Sequence, residues 1–369
     1  MRVEIPPLYV PFECTLNPGG PALEKKTLAW MAAHGLTLDA QQQAVLKNYN
    51  LTEGHCLTYP YVPGPMTQLM HDWDIVGCVF DALVLETPPV SQDLGLATEV
   101  IVKLLKKMEG PAGPEPEDHP IVRLLADIAH QVGDLAGPMA QRHWNEAQRK
   151  HWLAHLHQRG LALARRQPSI DHYAYLRQLT VCGDGVFQGV ALIRGFDLPA
   201  AQAANPHVRA LTEAASLLLG WDNDLYSYGM DYAGTTPSQP TDPYSEINLI
   251  HVVQHAHGCS LAEALQHAVG LRNQAMGLFV RLGEALPPDT DPAIRTYVSD
   301  LGIFVCASID LHRSPSTHRY RTAAHTTPEG ATIRVSHAST ITSTPPPGTF
   351  DPLTLESTRW WYDLLDESL

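Results

Sequence analysis

Basic clusters, long apolar runs and paired cysteines are all missing from this chain, and each absence closes off a class of function. Its 369 residues carry 25 Lys and Arg against 39 Asp and Glu, a formal net charge of −14, with no extended basic block. A nucleic-acid surface shows a basic patch or stripe, so no nucleic acid is expected as a partner. No window reaches the roughly 18 to 20 uninterrupted apolar residues of a membrane span. The six cysteines, at 14, 56, 78, 182, 259 and 306, show no CxxC or CxxxC spacing, which argues against zinc and redox motifs. The N-terminal MRVEIPP is not a charged stretch leading into an apolar core, so no signal peptide is expected. A soluble, reducing, cytoplasmic setting is the default. Glycine-rich phosphate loops do not occur. Alternating β-branched runs are scarce too, with Ala331–Val335 the one candidate strand.

What remains is helical periodicity. Helices are expected over Ala22–His34, Asp39–Lys47, Met66–Leu85, Leu94–Met108, Ile121–Val132 and Gly137–His157. They continue through Ile170–Gly189, Pro206–Met230, Asn248–His257, Ser260–Leu286 and Pro292–His312. About eleven helices joined by short Pro- and Gly-rich turns predict one large all-α domain, here residues 1–320, around a central apolar pocket. Hydrophobic residues make up 44% of the chain, ample for such a core. The Thr/Ser/Pro-rich stretch 321–369 reads as an irregular C-terminal tail, with Trp360, Trp361 and Tyr362 placed to dock on the body.

Two polar patches interrupt this apolar pattern. The run Leu211 to Trp221 ends in Asn223-Asp224-Leu225-Tyr226-Ser227-Tyr228-Gly229-Met230-Asp231. Residues four apart on a helix project from one face, so Asn223, Ser227 and Asp231 form a column of hard oxygen donors. Such donors suit Mg²⁺, which prefers oxygen and is readily shared with substrate phosphates; the same residues also serve as helix-end caps. The second patch is Phe80-Asp81-Ala82-Leu83-Val84-Leu85-Glu86, at the C-terminal end of an apolar helix. Carboxylates there oppose the helix dipole. Such an acid either reaches solvent or holds a cation.

Together these patches resemble the metal motifs of the bacterial class I terpene synthases. Asp81-x-x-x-x-Glu86 is similar to the family's aspartate-rich motif in its Glu-ended form, and Asn223-Asp224-x-x-Ser227-x-x-x-Asp231 to its second metal motif. Between them, Tyr175-Leu176-Arg177-x-x-Thr180 resembles the segment bearing the diphosphate-sensing arginine. His318-Arg319-Tyr320 resembles the Arg-Tyr pair after the last core helix, and Asn248-Leu249-Ile250 the start of the helix after the second motif. The likeness spans roughly Pro11 to Tyr320.

The resemblance implies the class I α-helical fold and an enzyme that ionises a linear isoprenyl diphosphate, with farnesyl diphosphate favoured. The carbocation is then cyclised to a terpene hydrocarbon or alcohol and diphosphate is released. It implies a trinuclear Mg²⁺ site held by Asp81, Glu86, Asn223, Ser227 and Asp231, with Arg177, Arg319 and Tyr320 donating to the diphosphate. A homodimer is also implied. Candidate pocket side chains are Trp73, Val76, Phe80, Val181, Phe187 and Phe304, with Tyr226 beside them; an apolar, aromatic lining excludes water and stabilises passing cations. The glycines of Val181-Cys182-Gly183-Asp184-Gly185 fit a helix break after Arg177. The segment Tyr232–Tyr244 suits a loop that covers the site.

Two departures from the motif are visible: Ala82 stands where a second aspartate is usual, and Asp231 where a longer glutamate is usual. They keep open a non-catalytic or weakly active isoprenoid-binding paralogue, as well as cyclases of geranyl or geranylgeranyl diphosphate. A chain-elongating prenyltransferase would need two full aspartate-rich motifs. His251 and His255 are spaced like zinc ligands but lack the glutamate of HExxH. Asp72 and Asp74 read as helix surface or internal pairing.

Overall fold

The computed structural model describes residues 2–59, 64–110, 118–232, 247–317, 325–326, 332–336 and 341–366. Fifteen α-helices run through them. In order they are α1 (Gly20–Ala33), α2 (Ala40–Tyr49), α3 (Leu51–Thr58), α4 (Pro65–Phe80), α5 (Leu94–Glu109), α6 (Pro120–Ala136), α7 (Pro138–Leu163) and α8 (Ile170–Thr180). The second half adds α9 (Gly183–Arg194), α10 (Leu198–Ala204), α11 (Pro206–Tyr232), α12 (Leu249–His257), α13 (Leu261–Glu284), α14 (Pro292–Arg313) and α15 (Arg359–Asp366). The all-α architecture is as expected. The count exceeds eleven because α3, α10 and α15 are too short to carry a clear period, and because Ile170–Gly189 is two helices.

Helix starts follow their capping residues. Asp39 and Ser260 form reciprocal capping boxes with Gln42 and Glu263, and Asp93 accepts from the Gly95 and Leu96 N–H groups. Proline occupies the first turn of α4, α6, α7 and α14, where its missing N–H costs nothing.

The centre of the bundle is α11. Leu211, Ala214, Ala215, Leu217, Leu218 and Trp221 have no exposed surface. A helix apolar all round is a helix enclosed by others, and α8, α9, α13 and α14 pack around it. Two buried carboxylates fix its rotation. Asp222 receives Arg272 of α13 through two hydrogen bonds, Nε at 2.7 Å and Nη2 at 3.1 Å. Asp224, about 200° further round the helix, receives Arg177 of α8.

The tail is more ordered than its composition suggests. Strands β1 (Arg2–Glu4) and β2 (Leu8–Tyr9) at the N-terminus pair in parallel with β4 (Thr332–Ser336) and β5 (Ile341–Thr342), and β3 (His325–Thr326) pairs antiparallel with β4. Beyond them, α15 packs against α11 and α13. Its Trp361 is fully buried and donates to Glu213 at 3.2 Å. The two ends of the chain are therefore tied to each other and to the bundle.

Candidate active site

Asp81 closes α4, but the chain does not leave the helix there. Residues Asp81–Leu85 form one wider π turn, in which the Glu86 N–H donates to the Asp81 carbonyl at 2.9 Å. An i→i+5 turn brings the fifth residue back near the first, so both acids of the first motif face one cleft. Asp81 is half-buried and Glu86 exposed. Also lining this cleft are Ile101 of α5 and His155, Gln158 and Arg159 of α7. The α-helical reading of Met66–Leu85 missed the wide turn, and Arg159 and His155 had no motif to announce them.

Asn223 and Ser227 sit on α11, and its helical course through Tyr232 keeps Asp231 in the same i, i+4, i+8 column. The Asp231 side chain lies outside the described residues, as do Arg319, Tyr320 and all of the expected loop Tyr232–Tyr244 beyond Tyr232. Arg177 stands beside the column. Its Nη2 donates to Asn223 Oδ1 at 2.8 Å, its Nε to Asp224 Oδ1 at 2.9 Å and its Nη1 to Thr180 Oγ1 at 3.3 Å. Asp224 is held in turn by the Tyr173 hydroxyl at 2.6 Å and the Leu249 N–H at 3.0 Å. Burial pushes the Asp224 carboxyl up from its ordinary range, while Arg177, Tyr173 and the Leu249 N–H oppose that rise. Asn248 caps α12 and donates from Nδ2 to the Asp224 carbonyl at 2.8 Å.

Gly220, one turn before Asp224, makes this approach possible. A Cβ there would meet Arg177 Cγ at 2.6 Å. Motif reading quoted Asp224 without giving it a role, and it passed over Gly220. Their signal was present: a carboxylate and a glycine inside an otherwise apolar helix.

The break after Arg177 falls where expected, between α8 and α9. The residue that turns the chain is Cys182, at φ 58° and ψ 34°, and not a glycine. Gly183 serves for space, since a Cβ there would lie 2.2 Å from Ser216 Oγ. The exposed carbonyls at the end of α8 are taken by two α7 histidines. His151 Nδ1 donates to Leu179 O at 3.0 Å, and His155 Nε2 to Thr180 O at 3.1 Å. Burial holds His155 neutral, its pKa lowered to about 4, with the Arg177 and Arg159 charges adding to the effect. His155 thereby links the two walls. It lines the Asp81 cleft and bonds Thr180, whose hydroxyl receives Arg177, which reaches Asn223.

The expected pocket residues Trp73, Val76, Phe80, Phe187 and Phe304 are all buried, and Val181 is half-buried at the break. Their rings meet edge-on: Phe187 with Phe304 at 5.3 Å, Phe80 with Trp152 at 5.0 Å and Trp73 with Trp144 at 5.1 Å. Tyr226 is buried and stacks on His312 at 5.1 Å. Asp72 and Asp74 are internal pairs: Asp72 accepts from Thr27 and Gln68, and Asp74 meets His55 Nδ1 at 2.6 Å. His251 lies on α12 with its ring 5.0 Å from that of Tyr228.

Carboxylates at one cleft, and an arginine braced against Asn223 and Asp224 on a central helix, are groups suited to a metal ion and a phosphate. Residues 72–277 match the family model described as terpene synthase family 2, C-terminal metal binding. Bonnadiene synthase of Allokutzneria albata is 28% identical, over 98% of both chains. The 4-epi-cubebol synthase of Streptosporangium roseum, described as cyclizing (2E,6E)-farnesyl diphosphate, is 25% identical over 87% of this chain and 94% of that one. Among solved structures, the SVS_A2 protein from ancestral sequence reconstruction superposes with a TM-score of 0.77 at 23% identity, over 99% of this chain and 100% of that chain. The chain belongs to the bacterial class I terpene synthases. It is accordingly a terpene cyclase, a lyase acting on isoprenyl diphosphates with a divalent metal. Among the described residues, no helix is long and apolar enough to cross a membrane.

Proposed function

We propose that this enzyme is a Mg²⁺-dependent cyclase of farnesyl diphosphate. The observation that carries the reading is the Arg177 clamp, which joins Asn223, Asp224 and Thr180 at one guanidinium. The donor set fits magnesium. Asp81, Glu86, Asn223, Ser227 and Asp231 offer oxygen alone, and the Asn223 amide oxygen that accepts from Arg177 has a second lone pair to give. These five residues are the proposed ligands of a trinuclear site. Mg²⁺, when bound there, would neutralise the charge that departs with the diphosphate.

The rest falls to the chain. Arg177 is held on three sides before substrate arrives, so its guanidinium meets diphosphate oxygens without reorganising. Arg319 and Tyr320 are the proposed further donors. The buried rings of Trp73, Phe80, Phe187 and Phe304 keep water from the cation and present π faces to it. Asp231 keeps an oxygen donor in the column, and the Ala82 departure leaves Asp81 and Glu86 in the first motif, which favours catalysis over a binding-only role. The same reading expects a cytoplasmic homodimer, which sedimentation of the purified protein checks.

Incubation with Mg²⁺ and geranyl, farnesyl or geranylgeranyl diphosphate, followed by gas chromatography, tests the proposal. A cyclic C15 hydrocarbon or alcohol from farnesyl diphosphate is expected. Turnover of only one of the other two substrates would replace the chain length. Recovery of all three unchanged would indicate a binding protein, and longer diphosphates formed only with isopentenyl diphosphate would indicate chain elongation.

A further inference from the structure

Spacing along the sequence argued against zinc, but the fold brings together cysteines that spacing cannot relate. Among the described residues, Cys14, Cys306 and Asp310 place their ligand atoms within 4.8 Å of one another. Cys14 Sγ lies 3.2 Å from Asp310 Oδ2, although the two residues are 296 apart in sequence. Cys306 Sγ lies 3.2 Å from the Phe12 carbonyl oxygen. Cys306 and Asp310 are one turn apart on α14, so they share a face. The other oxygen of Asp310 accepts from Arg313 Nη1 at 3.3 Å, which turns Oδ2 toward the sulfurs.

We propose that Cys14, Cys306 and Asp310 form a site for one Zn²⁺ ion, separate from the oxygen-lined magnesium site. Tetrahedral zinc with Zn–S near 2.3 Å and Zn–O near 2.0 Å sets ligand atoms about 3.5 to 3.8 Å apart. The three side chains reach that spacing with small shifts. The Phe12 carbonyl oxygen or a water completes the tetrahedron. On binding, the two thiols each lose a proton to solvent and ligate as thiolates. A disulfide would use the two sulfurs and leave the carboxylate unexplained. A cation uses all three groups.

The site would fasten the N-terminal segment to α14. That segment is already seated there. A Cβ on Gly302 of α14 would collide with the Phe12 ring at 2.8 Å, and the same ring packs edge-on against Phe279 of α13 at 5.7 Å. Asn17 further along donates to the Tyr59 carbonyl, and the Tyr59 ring meets Phe304 of α14 at 5.8 Å. Zinc would thus clamp the outer layer of the wall that carries Phe304.

The test uses the full chain, reduced, stripped with chelator and held in excess Mg²⁺. Titration with Co²⁺ should give a near-ultraviolet thiolate-to-cobalt charge-transfer band that saturates at about one equivalent and is bleached by Zn²⁺. Co²⁺ at the oxygen-only magnesium site gives no sulfur band, so failure there and failure here are distinguishable. The band should vanish in Cys14→Ser and Cys306→Ser, weaken roughly tenfold in apparent affinity in Asp310→Asn, and persist in Cys259→Ser. Zn²⁺ should raise Tm by about 3 °C in the wild type and not in Cys14→Ser. Absence of the band in the folded wild type would overturn the proposal. So would a band that survives Cys14→Ser, or loss of the two thiols to a Cys14–Cys306 disulfide without metal uptake.

Discussion

The two acid-bearing walls of the site are built on opposite plans. Asn223 sits inside α11, a helix enclosed by four others and locked in rotation by buried carboxylates on either side, Asp222 with Arg272 and Asp224 with Arg177. Asp81 and Glu86 sit on a single π turn at a helix end, in a cleft open to solvent. A locked helix fixes the position of its donors but cannot move them. A wide terminal turn has few neighbours and can adjust. The contrast bears on the two departures from the motif. Ala82 lies on the adjustable wall, between the proposed ligands Asp81 and Glu86. Asp231 lies on the fixed helix, where a missing methylene cannot be recovered by rotation.

The largest effect on stability should come from unlocking α11. Asp224→Asn leaves Arg177 with a neutral partner in a buried setting. It should cost about 3 to 5 kcal/mol in denaturant unfolding and reduce kcat/KM by roughly 100-fold or more. Next comes Gly220→Ala, whose methyl would push Arg177 aside. That variant should stay folded while kcat falls by about tenfold to 100-fold. An unchanged kcat there would mean that the guanidinium position is unimportant. A gain is expected from Asp231→Glu, which should lower the Mg²⁺ concentration for half-maximal rate by about threefold. Ala82→Asp should change it by less than about twofold. Equal responses from the two substitutions would erase the distinction between the walls.

A last effect concerns pH and lies outside the site. His71 is buried between Thr27 and Thr52, and burial, with His55 nearby, lowers its pKa to about 3. The folded state therefore binds fewer protons than the unfolded chain between about pH 6.5 and 3. Stability is retained above that window and lost on acidification through it, with a slope of up to about 1.4 kcal/mol per pH unit for this group. His71→Asn should flatten the slope measured by denaturant unfolding at several pH values.

Much of this was legible before the structure, for physical reasons particular to each element. The uninterrupted apolar run of α11 reads as a central helix, and its polar end is proposed as a metal motif because oxygen donors recur every four residues. The α8–α9 break was legible from Gly183 and Gly185, although the positive φ belongs to Cys182 and the glycines serve packing. The π turn was not legible, because nothing in Asp81 to Glu86 distinguishes an i→i+5 bond from an i→i+4 bond. Asp224 was hidden for a different reason. Its role depends on Arg177 and Tyr173, which reach it only after the bundle closes. In the tail the docking of Trp361 was legible from its aromatics, whereas Thr, Ser and Pro concealed the helix α15 whose Trp361, Leu364 and Leu365 are buried.

The central claim is that the locked column on α11 holds the metal that makes diphosphate leave. Diphosphate release from farnesyl diphosphate, followed across a Mg²⁺ titration in the wild type and in Asn223→Ala, addresses it most directly. The account predicts Mg²⁺-dependent release by the wild type, and for Asn223→Ala a rate at least about 1,000-fold lower with an unchanged unfolding midpoint. Release by a folded Asn223→Ala at the wild-type rate and Mg²⁺ dependence would contradict it.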